Sequence, residues 1–260
     1  MRGRPVLSFS AAPIRGGGSA QGDCLPARPR PPRPRGPAPT HVGEPDSEYP
    51  WPFFGYVPLP GREACDAALG ADARFRLARP LARYLRQLHA PQIAAALNGP
   101  LPGDAFGRLD MIKRVPLTEQ RYAQCRQKYG PLPLSETAAI TILESARGGP
   151  RLPATAVVHG DLHFRHVLVD EHDDFAGVID WGDMHRGDPA VDLMIAWGLL
   201  PPRARAEFWD EYGPVTDHQR RQSRLLALFL ALTLLDYGSA ENLAAVRREA
   251  LKSLELLGQE

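Results

Sequence analysis

The chain has 260 residues, 43% hydrophobic and 23% charged, and its 31 Lys+Arg against 30 Asp+Glu leave a net charge of +1. These values lie near globular averages and exclude wholesale disorder, and so even a balance gives no reason to expect nucleic acid or an anionic membrane as the main partner. Cys24, Cys65 and Cys125 are widely spaced and form no CxxC pair, which argues against a disulfide framework and a thiolate zinc site.

The charge is uneven along the chain. Residues 1–39 hold nine of the 27 prolines, six of the 24 glycines and seven arginines, with no lysine and one acid, Asp23, a net of +6. The run PARPRPPRPRGPAP over 26–39 cannot bury a core and is expected to stay extended or disordered. It lacks the apolar region of a secretory signal. From Thr40 the texture changes. Residues 49–57, rich in Tyr, Trp, Pro and Phe, are β-prone, strands are expected at 40–45 and 51–57, and Leu59-Pro-Gly61 reads as a turn.

Residues 72–89 carry Leu77, Leu81, Tyr84, Leu85 and Leu88 at helical spacing, with Arg79, Arg83 and Arg86 opposite. A Gly/Pro loop covers 98–107. Two helices are expected at 117–128 and 134–147, with Thr118 and Ser135 as N-caps. Short β-branched runs follow at 156–158, 167–169 and 177–180. Helices are then expected at 189–200, 203–212, 217–237 and 239–257. The longest apolar stretch, Leu225 to Leu235, has 11 residues where a membrane span needs about 20, so it reads as a core helix. The sum is an α+β protein, expected to be soluble and cytoplasmic, with a small hairpin set into a mostly helical mass.

Polar chemistry concentrates in Val158-His-Gly-Asp-Leu-His-Phe-Arg-His-Val-Leu-Val-Asp170 and in Ile179-Asp-Trp-Gly-Asp183. A hairpin of 167–170 against 176–179, turning at 171–174, would bring His166 and Asp180 to one end and leave Asp161 free beside them. Phosphoryl transfer needs such parts: an Asp near the attacking hydroxyl, a metal ligand a fixed distance on, and a second Asp beyond the hairpin. Protein kinases place Asn five residues after the first Asp; here that position is His166. A zinc hydrolase reading of the His cluster lacks further ligands at metal spacing and leaves the second Asp unexplained.

His159-Gly-Asp-Leu-His163, Val178-Ile-Asp-Trp-Gly-Asp183 and Gly187-Asp-Pro-Ala-Val-Asp-Leu193, in that order, resemble the aminoglycoside phosphotransferase family, relatives of choline and protein kinases. Tyr49-Pro-Trp-Pro-Phe, Leu59-Pro-Gly61, Leu85-Arg-Gln-Leu-His89 and Gly107-Arg-Leu-Asp110 add to the resemblance, which runs from about Thr40 to the C-terminus. It implies a protein-kinase-like two-lobed fold with the nucleotide between lobes. It also implies transfer of a phosphoryl group from ATP or GTP to a hydroxyl of a small molecule, with antibiotics among the candidate acceptors. Asp161 matches the catalytic Asp and Asp180 the Mg²⁺-binding Asp. His166 stands where most members have Asn, which resembles the macrolide phosphotransferase branch. Tyr56 and Val57 match the nucleotide hinge. Asp188 matches a helix cap, Asp192 a backbone-bonding support of the catalytic loop, and His159 another structural support. The substrate pocket would come from roughly 90–150 and 200–250, where no acidic cluster is dense enough to name a polycationic drug.

Outside the motifs, His89 is expected to end its helix as a cation favoured by the dipole. His172 and His185 are expected to be solvated, His163 is open between loop packing and the cleft, and Arg165 and Arg186 are expected to be solvated, with a contact to phosphate as the alternative. The resemblance implies a first lobe with a strand lysine, which residues 1–39 do not supply. Their composition is what a GC-rich coding strand yields out of frame. The expected organisation is therefore a Pro/Arg/Gly-rich segment at 1–39, a remnant of first-lobe strands and hinge at 40–61, and a helical second lobe at 62–260 bearing the catalytic hairpin. On that reading the nucleotide lobe is truncated, and the 260-residue chain is expected to show little transfer and to aggregate. The alternative function is a catalytically dead remnant that binds a ligand or nothing. The oligomeric state is left open.

Overall fold

A computed structural model of the chain describes Gly36, residues 39–44, Ser47, Pro50 and residues 53–97, 101–148 and 153–259. Apart from Gly36 and Pro39, the segment 1–39 lies outside the described residues, as do Tyr49 and Trp51; the expectations placed on that segment, its order and its reading frame, fall there.

Strands β1 (Pro39–Gly43) and β2 (Phe53–Tyr56) pair antiparallel, with Val42 opposite Phe54. The chain then turns at Gly61, whose φ of +124° suits glycine, and where a Cβ would lie 2.7 Å from the Val169 carbonyl oxygen. That close approach lets β3 (Arg62–Glu63) join a later hairpin. Helix α1 (Ala71–Leu88) buries Leu77, Leu81 and Leu85 completely, as the leucine spacing predicts. Its arginine face meets Glu211, which Arg83 and Arg86 each approach to 3.0 Å. Arg74, on the buried side, is 2% exposed. It bonds Glu249 at 2.5 Å and the carbonyls of Leu69 and Leu199, each at 3.1 Å.

A short helix α2 (Pro91–Ala96) follows, with Pro91 in its first turn. Helix α3 spans Met111–Tyr129 and starts six residues before the expected 117. Pro116 reads as a break in sequence, yet in the structure it sits in the second turn of the helix. Asp110, not Thr118, is the N-cap and accepts from the Lys113 amide. Thr118 lies inside the helix, where its hydroxyl donates to the Arg114 carbonyl at 2.7 Å. Ser135 caps α4 (Glu136–Ala146) by accepting from the Ala138 amide.

Three small strand groups follow. β4 (Ala156–Val158) leads into the motif loop, and β5 (Val167–Val169) pairs antiparallel with β6 (Phe175–Val178), Val167 opposite Val178. After a 3₁₀ turn at Trp181–Asp183, β7 (His185–Gly187) returns to pair with β4, a pairing the sequence reading lacks. The sheets are therefore β1-β2, β3-β5-β6 and β4-β7.

The rest is helical: α5 (Ala190–Leu199), α6 (Pro202–Tyr212), α7 (Asp217–Ala240) and α8 (Ala244–Leu257). α7 opens with a capping box between Thr216 and Gln219 and extends past the expected 237. Asn242, at φ +56°, supports the turn into α8. By length and composition alone α7 could cross a bilayer. Here Leu225, Leu228, Leu232 and Leu235 are fully buried, and the helix packs on α3, α4, α5 and α8 at the centre of the helical mass.

Candidate active site

The loop between β4 and β5 meets the turn after β6, where His159 Nε2 bonds the Ile179 carbonyl. At their junction Gly160 takes φ +90°, and a Cβ there would lie 2.3 Å from the Asp183 carbonyl oxygen and 2.9 Å from His185 Nδ1. Only a residue without a side chain lets these two segments touch.

Asp192, in the first turn of α5, holds this loop from beneath. It is fully buried, and its carboxylate accepts from the His159 amide at 2.7 Å, the Gly160 amide at 2.9 Å and His89 Nε2 at 3.0 Å. His89 Nδ1 in turn lies 2.8 Å from the Tyr212 hydroxyl. His89 is thus no exposed helix-end cation: it is 9% exposed and orients Asp192. Burial alone would raise the Asp192 carboxyl, but the His89 bond, the neighbouring imidazoles and the Gly160 amide bring it below the usual range. Asp188 accepts from the Ala190 amide at 2.8 Å and from Gln219 Nε2 at 3.0 Å, tying the start of α5 to α7.

His159 is fully buried. Its Nε2 meets the Ile179 carbonyl at 2.9 Å, so that nitrogen carries the proton, and Nδ1 accepts from the Asp161 amide at 3.3 Å. Burial depresses its pKa and keeps it neutral. His163 is also buried, with a pKa driven well below the ordinary value by burial and by His166. Its ring lies against His166 at 3.9 Å between centroids, tilted by 31°, and its Nε2 lies 3.7 Å from Asp161 Oδ2. His185, expected to be solvated, is 2% exposed because β7 draws it beneath the loop, where Nδ1 meets the Asp183 carbonyl at 2.8 Å. His172 is exposed in the hairpin turn, as expected.

Asp161 is partly buried, and burial, with Asp183 acting in the same sense, raises its pKa above the ordinary carboxylate value against the opposing pull of His166 and Arg108. His166 Nδ1 lies 2.7 Å from the Asp161 backbone oxygen, an atom that can only accept, so Nδ1 carries a proton. Nε2 faces Asp180 Oδ2 at 3.3 Å. Between these two atoms a cation is favoured, either a proton on the ring or a metal ion held by the neutral ring and the carboxylate. Asp180 itself takes the left-handed conformation, φ 64° and ψ 64°, one that Asp tolerates, at the start of the 3₁₀ turn. Asp161, His163 and His166 also present ligand atoms within 4.8 Å of one another. One exposed carboxylate and one imidazole with its tautomer held by backbone are donors that fit a divalent cation, although an imidazole suits Mg²⁺ less well than oxygen does.

A pocket of about 430 Å³ opens on Asp161 and Gly160. Phe106, Arg108 and Arg114 border it from the segment before and within α3, and Leu226, Phe229 and Leu230 from α7. Arg108 bridges Asp104 at 3.0 Å and Asp183 at 3.1 Å, which fastens this segment to the turn carrying Asp180. Sequence reasoning missed Arg108, Asp183 and His89; Gly107-Arg-Leu-Asp110 and Leu85-Arg-Gln-Leu-His89 were visible as motifs, but nothing local states their partners. Tyr56 and Val57 are exposed at the end of β2 and do not border this pocket. Arg165 pairs with Glu63 at 3.4 Å, and Arg186 is exposed on β7.

A family model described as "Phosphotransferase enzyme family" matches residues 27–224. The uncharacterized protein YcbJ of Bacillus subtilis (strain 168) is 31% identical over 62 residues, so the chain spans about a fifth of that relative, with 23% of this chain and 20% of the other covered. Among solved structures, the GDP and kanamycin complex of APH(2")-IIia superposes with a TM-score of 0.54 at 22% identity, covering 86% of this chain and 75% of the other. The GDP complex of wild-type aminoglycoside 2'-phosphotransferase-IIIa gives 0.52 at 22% identity, covering 86% and 76%. At these identities the likeness is one of fold: a kinase-like α+β arrangement with a mostly helical lobe that carries the hairpin.

Proposed function

The chain belongs to the phosphotransferase enzyme family, and from that premise we propose that it transfers the γ-phosphoryl group of ATP or GTP to a hydroxyl of a small molecule. One observation carries the reading. Asp161 stands at the pocket that would hold an acceptor, while its own backbone carbonyl fixes His166 so that Nε2 faces Asp180. Proton acceptor and metal ligands are thus set by one short loop.

In this reading Asp161 orients the acceptor hydroxyl and takes its proton. The O–P bond forms between the acceptor oxygen and the γ-phosphorus, the bond to the β,γ-bridging oxygen breaks, and the nucleoside diphosphate leaves with that electron pair. The raised pKa of Asp161 makes it a better base than an exposed aspartate. His163, neutral and buried, keeps a polar edge beside Asp161 without adding charge. His166 and Asp180 would hold Mg²⁺, which when bound neutralises phosphate charge. Asp192, His159 and Asp188 position the loop. Tyr56 and Val57 are the proposed hinge against which the nucleotide base lies.

The test joins binding to turnover. Mg²⁺·ATP at about 100 times its Kd is expected to stabilise the protein by about 2.7 kcal/mol in thermal unfolding, and Asp180→Ala to remove the shift. Asp161→Asn is expected to keep the shift and lower kcat by about 10²–10⁴-fold. No nucleotide-dependent shift in the wild type, or undiminished turnover in Asp161→Asn, would sink the reading.

A further inference from the structure

The pocket on Asp161 joins two chemistries. Met194, Leu226, Phe229 and Leu230 give it an apolar body, and guanidinium groups stand against it. Arg108 is neutralised by Asp104 and Asp183. Arg114 is not. Its guanidinium carbon sits 4.3 Å from the centroid of the Phe229 ring, Nη2 reaches only the Phe106 carbonyl at 3.5 Å, and Nε is buried without a hydrogen-bond partner among the described residues. Arg121, two helical turns further along α3, approaches the same ring at 5.1 Å, and its Nε is likewise buried and unpartnered.

Among the described residues no carboxylate lies within 4 Å of either guanidinium. The acids that act on Arg114 from further away are committed elsewhere: Asp104 to Arg108, and Asp110 to the cap of α3 and to Lys113. Asp236, which acts on Arg121, is bonded to Lys128 and Tyr129. Two cations therefore converge on one aromatic ring and repel each other, with no carboxylate among the described residues in contact with either. Partial burial sharpens the imbalance, because a desolvated guanidinium gains most from a hydrogen-bonded counter-charge. An arginine fork matches the planar oxygens of a carboxylate, and the oxygens of a phosphate, in bidentate fashion.

Resting on the phosphotransferase reading above, we propose that the acceptor is an alcohol with an apolar body and an anionic group, carboxylate or phosphate. Arg114, which borders the pocket, holds the anion, Arg121 on the same ring adds its charge from beyond the pocket wall, Phe229 and Leu226 pack the body, and the hydroxyl faces Asp161. A polycationic acceptor is disfavoured by the same pair of arginines.

Four probes sharing one ring and one CH₂OH separate the possibilities: 4-(hydroxymethyl)benzoate, 4-(hydroxymethyl)phenyl phosphate, the neutral 1,4-benzenedimethanol and 4-(hydroxymethyl)benzylamine. Their affinities are measured by calorimetry on the full chain, with and without Mg²⁺·ADP. At least one of the two anions is expected to bind about tenfold or more tightly than the diol, with the amine weakest, and the tighter of the two names the anion. Arg114→Gln combined with Arg121→Gln is expected to abolish the preference, a loss of about 10–100-fold from charge-assisted bonds. Arg114→Lys, which keeps charge and stem, is expected to retain part of it. Equal affinity for diol and anions, preference for the amine, absence of binding by all four, or an anion preference that survives the double substitution would each overturn the proposal. Nucleotide binding is read separately. An anion preference without any Mg²⁺·ATP binding leaves the arginine site standing and removes the phosphotransferase reading, and nucleotide binding without the preference does the reverse.

Discussion

Replacing Asp192 tests whether the catalytic loop is held from beneath by one buried carboxylate. Asp192→Ala strands three donors in the interior: the amides of His159 and Gly160, and Nε2–H of His89. At about 1–3 kcal/mol for each unsatisfied group, the loss is about 3–9 kcal/mol, comparable with the roughly 5–15 kcal/mol that holds a whole domain together. Asp192→Asn preserves shape but turns one acceptor into a donor. The least costly placement sacrifices the Gly160 bond alone, for a loss of about 2–4 kcal/mol once the missing charge is counted. Guanidinium chloride unfolding followed by circular dichroism reads both values as shifts in midpoint at constant slope.

The pH dependence adds an independent check. The folded pKa of Asp192 is depressed, so the unfolded chain binds the proton first as pH falls. The stability this group contributes is present above the unfolded pKa, near 3.9. It is lost at up to about 1.4 kcal/mol per pH unit as pH falls toward the folded pKa. The Asn variant is expected to lack that component of the acid limb. An Asp192→Ala protein within about 1 kcal/mol of wild type, or an Asn variant with an unchanged acid limb, would refute the reasoning.

Gly160→Ala forces a Cβ into the Asp183 carbonyl at a φ that L-residues rarely adopt, and a loss of about 2–5 kcal/mol is expected in the same unfolding assay. His166→Asn keeps a donor for the Asp161 carbonyl and an oxygen toward Asp180, so turnover within about tenfold of wild type is expected. His166→Leu, lacking both, is expected to raise the Mg²⁺ concentration for half-maximal nucleotide binding by about 10–100-fold in a thermal-shift titration. Glu249→Ala leaves the Arg74 guanidinium buried without its partner and is expected to cost about 3–5 kcal/mol. Arg74→Met with Glu249→Leu is expected to recover most of that loss, because an apolar pair replaces the ion pair without a stranded charge.

What the sequence alone determined is local. Asp161, His166 and Asp180 were readable as a set because a strand–turn–strand hairpin has a known rise and a two-residue period, so spacing fixes which ends meet. The buried face of α1 was readable for the same reason, with a period of 3.6 residues. The α3 boundary was not: the helix begins at Met111, six residues before the expected 117, and runs through Pro116. What tertiary structure decided is set by groups far apart in the chain: His89 on Asp192, Arg108 on Asp183, β7 on β4, and Arg114 with Arg121 on Phe229. Histidine is found both in water and inside, and arginine goes inside only with partners that lie elsewhere in the chain, so their type and spacing do not say which. Only tertiary structure determines that His89 is enclosed between Asp192 of α5 and Tyr212 of α6, and that β7 draws His185 beneath the loop. The packing of α3 on α7 brings Arg114 and Arg121 to one aromatic ring, Phe229, at the candidate acceptor pocket.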